Sequence, residues 1–282
     1  MSLSIVIPAK NESASIGTVV AAAREACPDA EIIVVDDGSS DTTAEVARSG
    51  GAVIVQHPES LGNGAAVKAG ARIARGDIIA FMDGDGQHDP KELSQLLQKL
   101  DEGYDMVVGA RDSGSHANMG RFFANGLYNG VASLLTGRRI LDLTSGFRVA
   151  RAKLFKKYLY LLPNGFSYPT TITMAFLRSG YPICFVPITA ATRVGKSHIR
   201  PIRDGARFMA IIFKIATLYS PLKIFLPISG LFFVTGLGYY AYTFATAGRF
   251  TNMSMLVFSA SVIVFLIGLI SEQITALTYS KS

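Results

Sequence analysis

The chain has 282 residues, of which 49% are hydrophobic and 17% are charged, and it carries a formal net charge of +6. This composition is apolar for a soluble enzyme, and the apolar excess lies at the C-terminus. The basic residues lie beside those apolar segments. The sequence shows neither a recognition helix for nucleic acid nor aromatic residues arranged to stack on bases, which argues against a nucleic-acid-binding protein. Cys27 and Cys184 lack metal-ligand spacing, so we expect reduced thiols.

Strand and helix patterns alternate through the first part of the chain. Strands are predicted at 4–7, 31–35, 53–56 and 78–82, and helices at 13–26, 42–49 and 64–75, with Asp41 as the N-cap of the second helix. This order is typical of a parallel α/β sheet, in which ligands bind at the carboxyl ends of the strands. Polar clusters follow three of these strands, and we expect them to meet in one crevice.

The first two polar clusters suit the base and ribose of a nucleotide. Pro8, Ala9, Asn11 and Glu12 close the first strand, and Asp37 lies in the Asp-Asp-Gly-Ser sequence that closes the second. Carboxylates accept hydrogen bonds from ring N–H groups and from sugar hydroxyls. The alternative for Asp37 is an ordinary turn and helix cap.

The third cluster contains two carboxylates one residue apart. At the end of an extended strand, Asp83 and Asp85 point the same way and can share one divalent cation, and Gln87 falls on the same face. A hard cation held by few protein oxygens keeps open positions for phosphate oxygens, which suits Mg²⁺ or Mn²⁺. The alternative is an acidic surface turn.

A glycine-rich segment opens the helix predicted at 64–75. It reads Leu61-Gly62-Asn63-Gly64-Ala65 and offers N–H groups to an anion. The segment lacks both the Lys-Ser/Thr of a P-loop and the spacing of a dinucleotide fingerprint, so Gly64 is a weaker candidate for nucleotide binding.

Two uncharged segments near the C-terminus are each long enough to cross a bilayer. They cover about 224–247 and 250–271 and predict a tight transmembrane hairpin, with two buried helices of a soluble protein as the alternative. Basic residues precede the first segment, so the positive-inside rule places the N-terminal domain in the cytoplasm. The N-terminus shows no signal-peptide pattern, which agrees with that expectation.

Between the two parts, 201–221 alternates basic and apolar residues and predicts an amphipathic interfacial helix, with a plain packing helix as the alternative. The predicted organisation is therefore a catalytic domain at 1–200, an interfacial helix at 201–221, and a membrane hairpin at 222–282. Small residues in the spans, Gly230, Gly236 and Gly238, permit a homo-oligomer.

The four motifs, in this order, resemble glycosyltransferase family 2. They are Ile5 to Glu12, Ile33 to Asp41, Gly62 to Ala65, and Met82 to His88. Over about residues 3–200 the chain is most similar to the dolichyl-phosphate mannose synthase branch and its bacterial polyprenyl-phosphate relatives. This resemblance implies a Rossmann-like GT-A domain, a UDP- or GDP-sugar donor, a divalent metal, an undecaprenyl or dolichyl phosphate acceptor, and a place in the bacterial inner membrane.

The branch resemblance also suggests residues for the acceptor phosphate. Arg111, Arg121 and Arg193 match basic positions of that branch, with Lys196 and Ser197 as further candidates. A planar guanidinium suits bidentate phosphate binding. Asp142 resembles an acidic position of the family, and capping at Thr144 and Ser145 is an equally good account of it.

Three functions remain open at this point. A lipid phosphate is already an anion, so its attack on the anomeric carbon would need no general base, and one displacement would invert the configuration. A hydroxyl acceptor would need a base, for which Asp142 or Asp89 are the candidates. The third function is that of a non-enzymatic translocation subunit. No ionisable residue interrupts either predicted span, which argues against an ion or substrate pathway through them. The chain has no Trp, which excludes the Gln-x-x-Arg-Trp motif of processive synthases.

Overall fold

The computed structural model of the chain describes residues 1–111, 119–165, 167–189, 217 and 219–280. The chain divides into two compact units, Met1–Phe208 and Met209–Ser282. In the described residues, the first unit contains one β-sheet with surrounding helices, and the second contains two long helices. The interfacial helix predicted at 201–221 lies almost entirely outside the described residues.

The first unit alternates strands and helices along the chain. Its strands are β1 (Leu3–Ala9), β2 (Glu31–Asp36), β3 (Val53–Gln56), β4 (Ile78–Phe81), β5 (Met106–Arg111), β6 (Arg148–Arg151) and β7 (Ile183–Ile188). Its helices are α1 (Ile16–Ala26), α2 (Thr43–Ser49), α3 (Asn63–Ile73), α4 (Leu93–Asp101), α5 (Met119–Thr136), α6 (Ala152–Lys157) and α7 (Tyr168–Arg178), with 3₁₀ turns at Pro90–Glu92 and Leu159–Leu161.

The seven strands form one mixed sheet in the order β3-β2-β1-β4-β6-β5-β7. All pairs are parallel except those of β6, which runs antiparallel to both β4 and β5. Ala9 pairs with Asp36, and Val6 pairs with Phe81, so β1, β2 and β4 end at the same edge of the sheet. The predicted convergence of the three polar clusters follows directly from this register.

The core lies on both faces of the sheet. In β1 every residue from Ser4 to Ala9 is buried, and β2 is buried from Ile32 to Asp36. Such continuous apolar runs are typical of strands that helices cover on both sides. The predicted elements are present with ends shifted by up to three residues. The prediction of Asp41 as the N-cap of α2 is wrong, because the helix begins one residue later than predicted and Thr42 holds the N-cap position; Asp41 accepts from the backbone N–H of Thr43.

Helix α3 packs unusually close to its neighbours, and two glycines make this possible. A Cβ on Gly64 would collide with the carbonyl oxygen of Pro163, and a Cβ on Gly70 would collide with Val6 of β1. The backbone N–H of Ala65 donates to the carbonyl of Asn164 at 3.1 Å. The start of α3 is therefore covered by chain from the loop before α7.

The second unit is a helical hairpin formed by α8 (Leu222–Ala247) and α9 (Asn252–Ser280). Both helices are long and apolar enough to cross a membrane, and most of their residues are exposed. Core helices of soluble proteins bury such residues, so the exposure favours contact with lipid. The predicted hairpin is confirmed, and its second helix extends beyond the predicted end at 271.

Reciprocal hydrogen bonds join the two helices of the hairpin. The hydroxyl of Ser229 donates to the carbonyl of Ser261 at 3.0 Å, and the hydroxyl of Ser261 donates back to the carbonyl of Ser229 at 2.9 Å. Gly268 lies against Phe225, and Gly236 lies against Phe258. Small residues and paired hydroxyls are typical of close helix contacts inside membranes.

We expect Gly64→Ala to destabilise the first unit, because the new methyl group meets a backbone carbonyl that cannot rotate away. The free energy of unfolding should fall by about 1–3 kcal/mol. The measurement is the thermal unfolding midpoint of the full chain in detergent. Gly126→Ala in α5 is the matched control, because nothing lies within 4 Å of its Cβ position, and it should leave the midpoint unchanged or raise it. Equal midpoints for Gly64→Ala and wild type would contradict the close packing.

Candidate active site

A cavity of about 570 Å³ opens where β1, β2 and β4 end. This volume lies in the range of sites that bind ligands of nucleotide size. Its lining includes residues from all three predicted polar clusters, from the end of β5, from the loop before β6, and from the start of α7. The three clusters therefore form one site, as the sequence predicted.

The end of β1 forms one wall of the cavity. Pro8, Ala9 and Glu12 line the cavity directly. Asn11 does not: its side-chain oxygen accepts from the backbone N–H of Ser40 at 2.9 Å. Asn11 has a φ of 54°, the only positive φ at a non-glycine residue in the described part of the chain. Its position links the loops that follow β1 and β2.

Asp37 organises the loop before α3. Its carboxylate accepts four hydrogen bonds of 2.8–2.9 Å, from the side chains of His57 and Ser60 and from the backbone N–H groups of Leu61 and Gly62. Burial by itself would raise the pKa of Asp37, but these hydrogen bonds outweigh burial and lower the pKa to about 2. Asp37 lines the cavity together with Ser60 and Gly62, so the loop that it holds is itself a wall of the site.

Oxygen ligands for a hard cation project from the loop after β4. Asp83, Asp85 and Gln87 all line the cavity, and the backbone N–H of Gln87 donates to Asp85 Oδ1 at 3.1 Å. In the described residues, no group of three or more His, Cys, Asp or Glu side chains could hold a metal. Two carboxylates and one amide fit Mg²⁺ or Mn²⁺, because these ions complete their coordination with water or phosphate oxygens.

His88 contacts the loop that carries Asp83 and Asp85. The backbone N–H of Asp83 donates to its Nδ1 at 3.4 Å, and its ring stacks on Phe147 with centroids 4.9 Å apart. Burial lowers the pKa of His88, against the opposing charges of Asp83 and Asp85. The lowered pKa favours the neutral imidazole, whose Nδ1 can accept this hydrogen bond.

Arg111 enters the cavity from the end of β5 in a fixed orientation. Its Nε donates to Asp142 Oδ2 at 2.8 Å, and one terminal nitrogen donates to Asp142 Oδ1 at 3.2 Å and to the Thr144 hydroxyl at 2.8 Å. Burial by itself would raise the pKa of Asp142, but Arg111 and the groups of Thr144 hold it below its usual value. Asp142 also accepts from the backbone N–H groups of Thr144 and Ser145, so it is an ionised and fully engaged carboxylate.

A buried arginine fixes a further wall of the cavity. Arg148 is fully buried and donates to the carbonyl of Pro169 at 3.1 Å, to the Thr173 hydroxyl at 3.2 Å, and to the carbonyl of Ser145. Its guanidinium carbon lies 5.9 Å from the ring centroid of Tyr168. The contacts join the loop before β6 to the start of α7, where Tyr168 and Pro169 line the cavity.

Several predicted site residues are not among the cavity lining. Gly64 is buried under the loop before α7 and serves close packing. Arg121 lies on α5, but its side chain is outside the described part of the structure. Arg193, Lys196 and Ser197 also lie outside the described residues.

The cavity also contains residues that were not predicted for the site. They are Lys10, Ser60, Gly62, Asn63, Ala66, Gly84, Thr144, Gly146, Tyr168 and Pro169. Gly62 and Asn63 belong to the glycine-rich segment that the sequence did single out, and Ser60 directly precedes that segment. Nothing in the local sequence marked Tyr168, which reaches the cavity only because α7 begins beside the loop before β6.

Two family models match the chain. Residues 4–159 match the model described as Glycosyl transferase family 2, and residues 220–277 match the model described as GtrB C-terminal hairpin. The first match covers more than half of the chain. The chain belongs to glycosyltransferase family 2. The predictions of a glycosyltransferase and of its family are thereby confirmed.

The chain is similar to named proteins from two organisms. The chain is 32% identical over 228 residues to polyprenol monophosphomannose synthase of Mycolicibacterium smegmatis, which covers 75% of this chain and 84% of that protein. It is 32% identical over 215 residues to dolichyl-phosphate hexose transferase of Haloferax volcanii, which covers 76% of this chain and 93% of that protein.

A solved structure has a similar fold. Glucosyl-3-phosphoglycerate synthase from Mycobacterium tuberculosis, in complex with Mn²⁺ and UDP-glucose, is 25% identical, with a TM-score of 0.60 over 76% of this chain and 78% of that one. The predicted GT-A fold is confirmed by this likeness and by the family match.

We expect Asp37→Asn to lower stability at neutral pH, because an amide cannot accept the same four hydrogen bonds. A pKa lowered from 3.8 to about 2 corresponds to a loss of about 2–3 kcal/mol. Because the folded-state pKa is the lower one, this stabilisation is present above about pH 4 and disappears as the pH falls towards 2. Unfolding midpoints between pH 2.5 and 7 test this. Glu102→Gln, at an exposed position, is the control and should change the unfolding midpoint little. A difference in midpoint between Asp37→Asn and wild type that stays constant with pH would contradict the lowered pKa of Asp37.

Asp142→Asn tests the orientation of Arg111. The variant keeps the shape of the side chain but removes the charge that aligns the guanidinium, so we expect kcat/KM to fall on the order of ten- to a hundredfold. Its pH profile should keep the wild-type shape between pH 6 and 9, since Asp142 is not a titrating base there. Asp105→Asn, which alters the Asp105–Arg151 pair outside the cavity, is the control and should retain activity.

Proposed function

We propose that this enzyme transfers a hexose from a UDP- or GDP-sugar to a polyprenyl phosphate, undecaprenyl or dolichyl, with inversion at the anomeric carbon. One observation carries the proposal: a single cavity contains both an acidic, oxygen-rich loop and an arginine held by a second carboxylate. The acidic loop suits the diphosphate of a donor with its metal ion. The arginine suits an incoming phosphate. The names of the two family 2 relatives, a polyprenol monophosphomannose synthase and a dolichyl-phosphate hexose transferase, support this acceptor class.

The donor would lie along the ends of β1, β2 and β4. Pro8, Ala9, Glu12 and the loop held by Asp37 would surround the base and ribose. Asp83, Asp85 and Gln87 would hold Mg²⁺ or Mn²⁺, and the Mn²⁺ complex of the related synthase supports this cofactor class. The ion, when bound, neutralises the charge that develops on the departing diphosphate.

The acceptor phosphate would approach from the side of Arg111. Asp142 and Thr144 orient the guanidinium, so its remaining N–H groups can meet a phosphate with little loss of side-chain freedom. Arg121, Arg193, Lys196 and Ser197 are further candidates for this phosphate on sequence resemblance. A phosphate oxygen is already an anion, so it can attack the anomeric carbon without a general base.

A hydroxyl acceptor is less well supported, because it needs a carboxylate that can take a proton. Asp142 is fully engaged by Arg111, Thr144 and Ser145. Asp89 caps the 3₁₀ turn through the backbone N–H of Lys91 at 2.9 Å and does not line the cavity. Asp142 is held by its hydrogen bonds and Asp89 lies outside the cavity lining, so neither carboxylate is placed to act as a base for this reaction.

The hairpin would anchor the enzyme where its lipid acceptor is found. The match of residues 220–277 to the GtrB C-terminal hairpin and the exposed apolar helices support association with the membrane. The basic residues before α8 support a cytoplasmic catalytic domain at a bacterial inner membrane. The division of the chain into a catalytic domain, an interfacial helix and a hairpin, with boundaries at residues 200 and 221, is part of this proposal.

The deciding experiment measures label transfer from UDP-glucose, UDP-galactose, GDP-mannose and UDP-N-acetylglucosamine to undecaprenyl phosphate in detergent. We expect one donor to give an acid-labile lipid product with Mg²⁺ or Mn²⁺ and none with a chelator. Asp85→Ala should lose about a hundredfold or more in rate, because the leaving diphosphate loses its counter-charge.

Asp89→Asn is the matched control in the same loop and should remain active. Undecaprenol, offered in parallel, tests the hydroxyl alternative. Transfer to undecaprenol and none to its phosphate would overturn the proposed acceptor, and full activity in chelator would overturn the metal role.

A further inference from the structure

A buried tyrosine hydroxyl at the cavity wall has no hydrogen-bond partner among the described residues. It belongs to Tyr168, which is 2% exposed and lines the cavity at the start of α7. Buried polar groups are almost always hydrogen-bonded, because an unpaired group loses its contacts with water and gains none in return. An unpaired hydroxyl at the wall of a cavity therefore indicates a partner that binds there.

A second buried tyrosine shows the usual arrangement. Tyr158 is 1% exposed and is not among the cavity lining, and its hydroxyl donates to the Ser179 hydroxyl at 2.7 Å. A phenylalanine would fill the same space as Tyr168, so the hydroxyl of Tyr168 is not needed for packing. The comparison favours a role for this hydroxyl in the cavity.

The Tyr168 hydroxyl lies close to the proposed metal site. A Cβ on Gly146 would lie 3.5 Å from Tyr168 Oη and 3.2 and 3.3 Å from the two carboxylate oxygens of Asp83. The hydroxyl and the carboxylate therefore border the same small space beside Gly146. Because glycine has no side chain, that space stays open to a bound oxygen atom.

The chain holds the Tyr168 side of this space in place. Arg148 donates to the carbonyls of Ser145 and Pro169, which directly adjoin Gly146 and Tyr168 in sequence. The Arg148 guanidinium also lies over the Tyr168 ring. A hydroxyl on a fixed ring loses little conformational freedom when it binds a ligand.

The chemistry of the proposed metal site decides which atom fits this space. Mg²⁺ and Mn²⁺ complete their coordination with water or phosphate oxygens, and such oxygens accept hydrogen bonds. A neutral phenol donates one. We propose that the Tyr168 hydroxyl donates to an oxygen that the metal ion holds beside Asp83. This inference rests on the proposed function, which assigns the ion to Asp83, Asp85 and Gln87.

Water and the donor diphosphate are the two sources of such an oxygen. A hydrogen bond to bound water would strengthen the binding of the metal ion alone. A hydrogen bond to the diphosphate would strengthen metal binding only when a nucleotide is present. In both cases Tyr168 is a positioning residue, because its hydroxyl acts on the ion through the oxygen that it orients.

Tyr168→Phe removes the hydroxyl and keeps the ring. The affinity of the full chain for Mn²⁺ is measured in detergent from the loss of the free Mn²⁺ signal in electron paramagnetic resonance, with Mn²⁺ alone and with UDP or GDP added. We expect Tyr168→Phe to bind Mn²⁺ about tenfold more weakly in at least one of these conditions, because partners that orient metal-bound ligands contribute on this scale. Tyr158→Phe is the matched control and should bind Mn²⁺ like wild type.

The conditions separate the two sources of the oxygen. A loss of affinity with Mn²⁺ alone would identify bound water, and a loss that requires UDP or GDP would identify the diphosphate. Wild-type affinity of Tyr168→Phe in every condition would overturn the inference. An effect confined to the binding of a UDP- or GDP-sugar would also overturn it, in favour of a contact with the sugar.

Unfolding midpoints without metal test whether the hydroxyl is unpaired. Tyr168→Phe should leave the midpoint unchanged or raise it, whereas Tyr158→Phe should lower it, because only Tyr158→Phe loses a hydrogen bond within the protein. A clear fall in the midpoint of Tyr168→Phe would show a structural partner for the hydroxyl and overturn the inference.

Gly146→Ala tests the open space while the Tyr168 hydroxyl remains. The added methyl group would crowd the Asp83 carboxylate, so Mn²⁺ binding should weaken several-fold. Gly126→Ala, with nothing within 4 Å of its Cβ position, is the control and should bind Mn²⁺ like wild type. Wild-type affinity of Gly146→Ala would contradict a bound oxygen in this space.

Asp85→Ala separates this inference from the proposed function. Loss of Mn²⁺ binding in Asp85→Ala, together with wild-type binding in Tyr168→Phe, would overturn the role of Tyr168 and leave the metal site standing. Wild-type Mn²⁺ binding in Asp85→Ala would overturn the proposed metal site itself, and the role of Tyr168 with it.

Discussion

The carboxyl ends of β1, β2 and β4 lie side by side because the three strands are parallel and paired in one register, with Ala9 opposite Asp36 and Val6 opposite Phe81. A shift of one residue in any strand would reverse which side chains face the helices and would separate the polar clusters. The buried β-branched runs of these strands set the register, and the cavity follows from it. Packing and function are therefore linked at the same sheet edge.

The carboxylates of the site divide into two kinds. Asp37 and Asp142 each accept several hydrogen bonds from the chain, and these bonds lower their pKa values. Asp37 holds the loop before α3, and Asp142 holds Arg111. Asp83 and Asp85 lie on a glycine-rich loop that lines the cavity, and Asp37 lines the cavity as well. The hydrogen bonds of Asp37 and Asp142 therefore fix the walls of the cavity and the orientation of Arg111 within it.

The hairpin solves a different physical problem. Helices α8 and α9 expose large apolar side chains, while their contact with each other uses small residues and the reciprocal hydrogen bonds of Ser229 and Ser261. At the amino end of α8, Glu272 accepts from the Ser220 hydroxyl and from the backbone N–H of Leu222. A carboxylate at a helix amino terminus is favourable, and here it also joins the two helices. Of the glycines that permit association with another copy, Gly236 is used within the hairpin, and Gly230 and Gly238 have nothing within 4 Å.

The sequence by itself determined the order of strands and helices up to β4, the acidic loop, the apolar hairpin and the family, because periodicity and short motifs are local properties. It did not determine what Asp142, Gly64 or Tyr168 do. Asp142 was a candidate for a cap, for an acidic position of the family or for a base until β5 brought Arg111 beside it. Gly64 was a candidate for anion binding until Pro163 and Asn164 covered it. Tyr168 carried no local signal at all. Such roles depend on contacts between residues far apart in sequence, which only the tertiary structure decides.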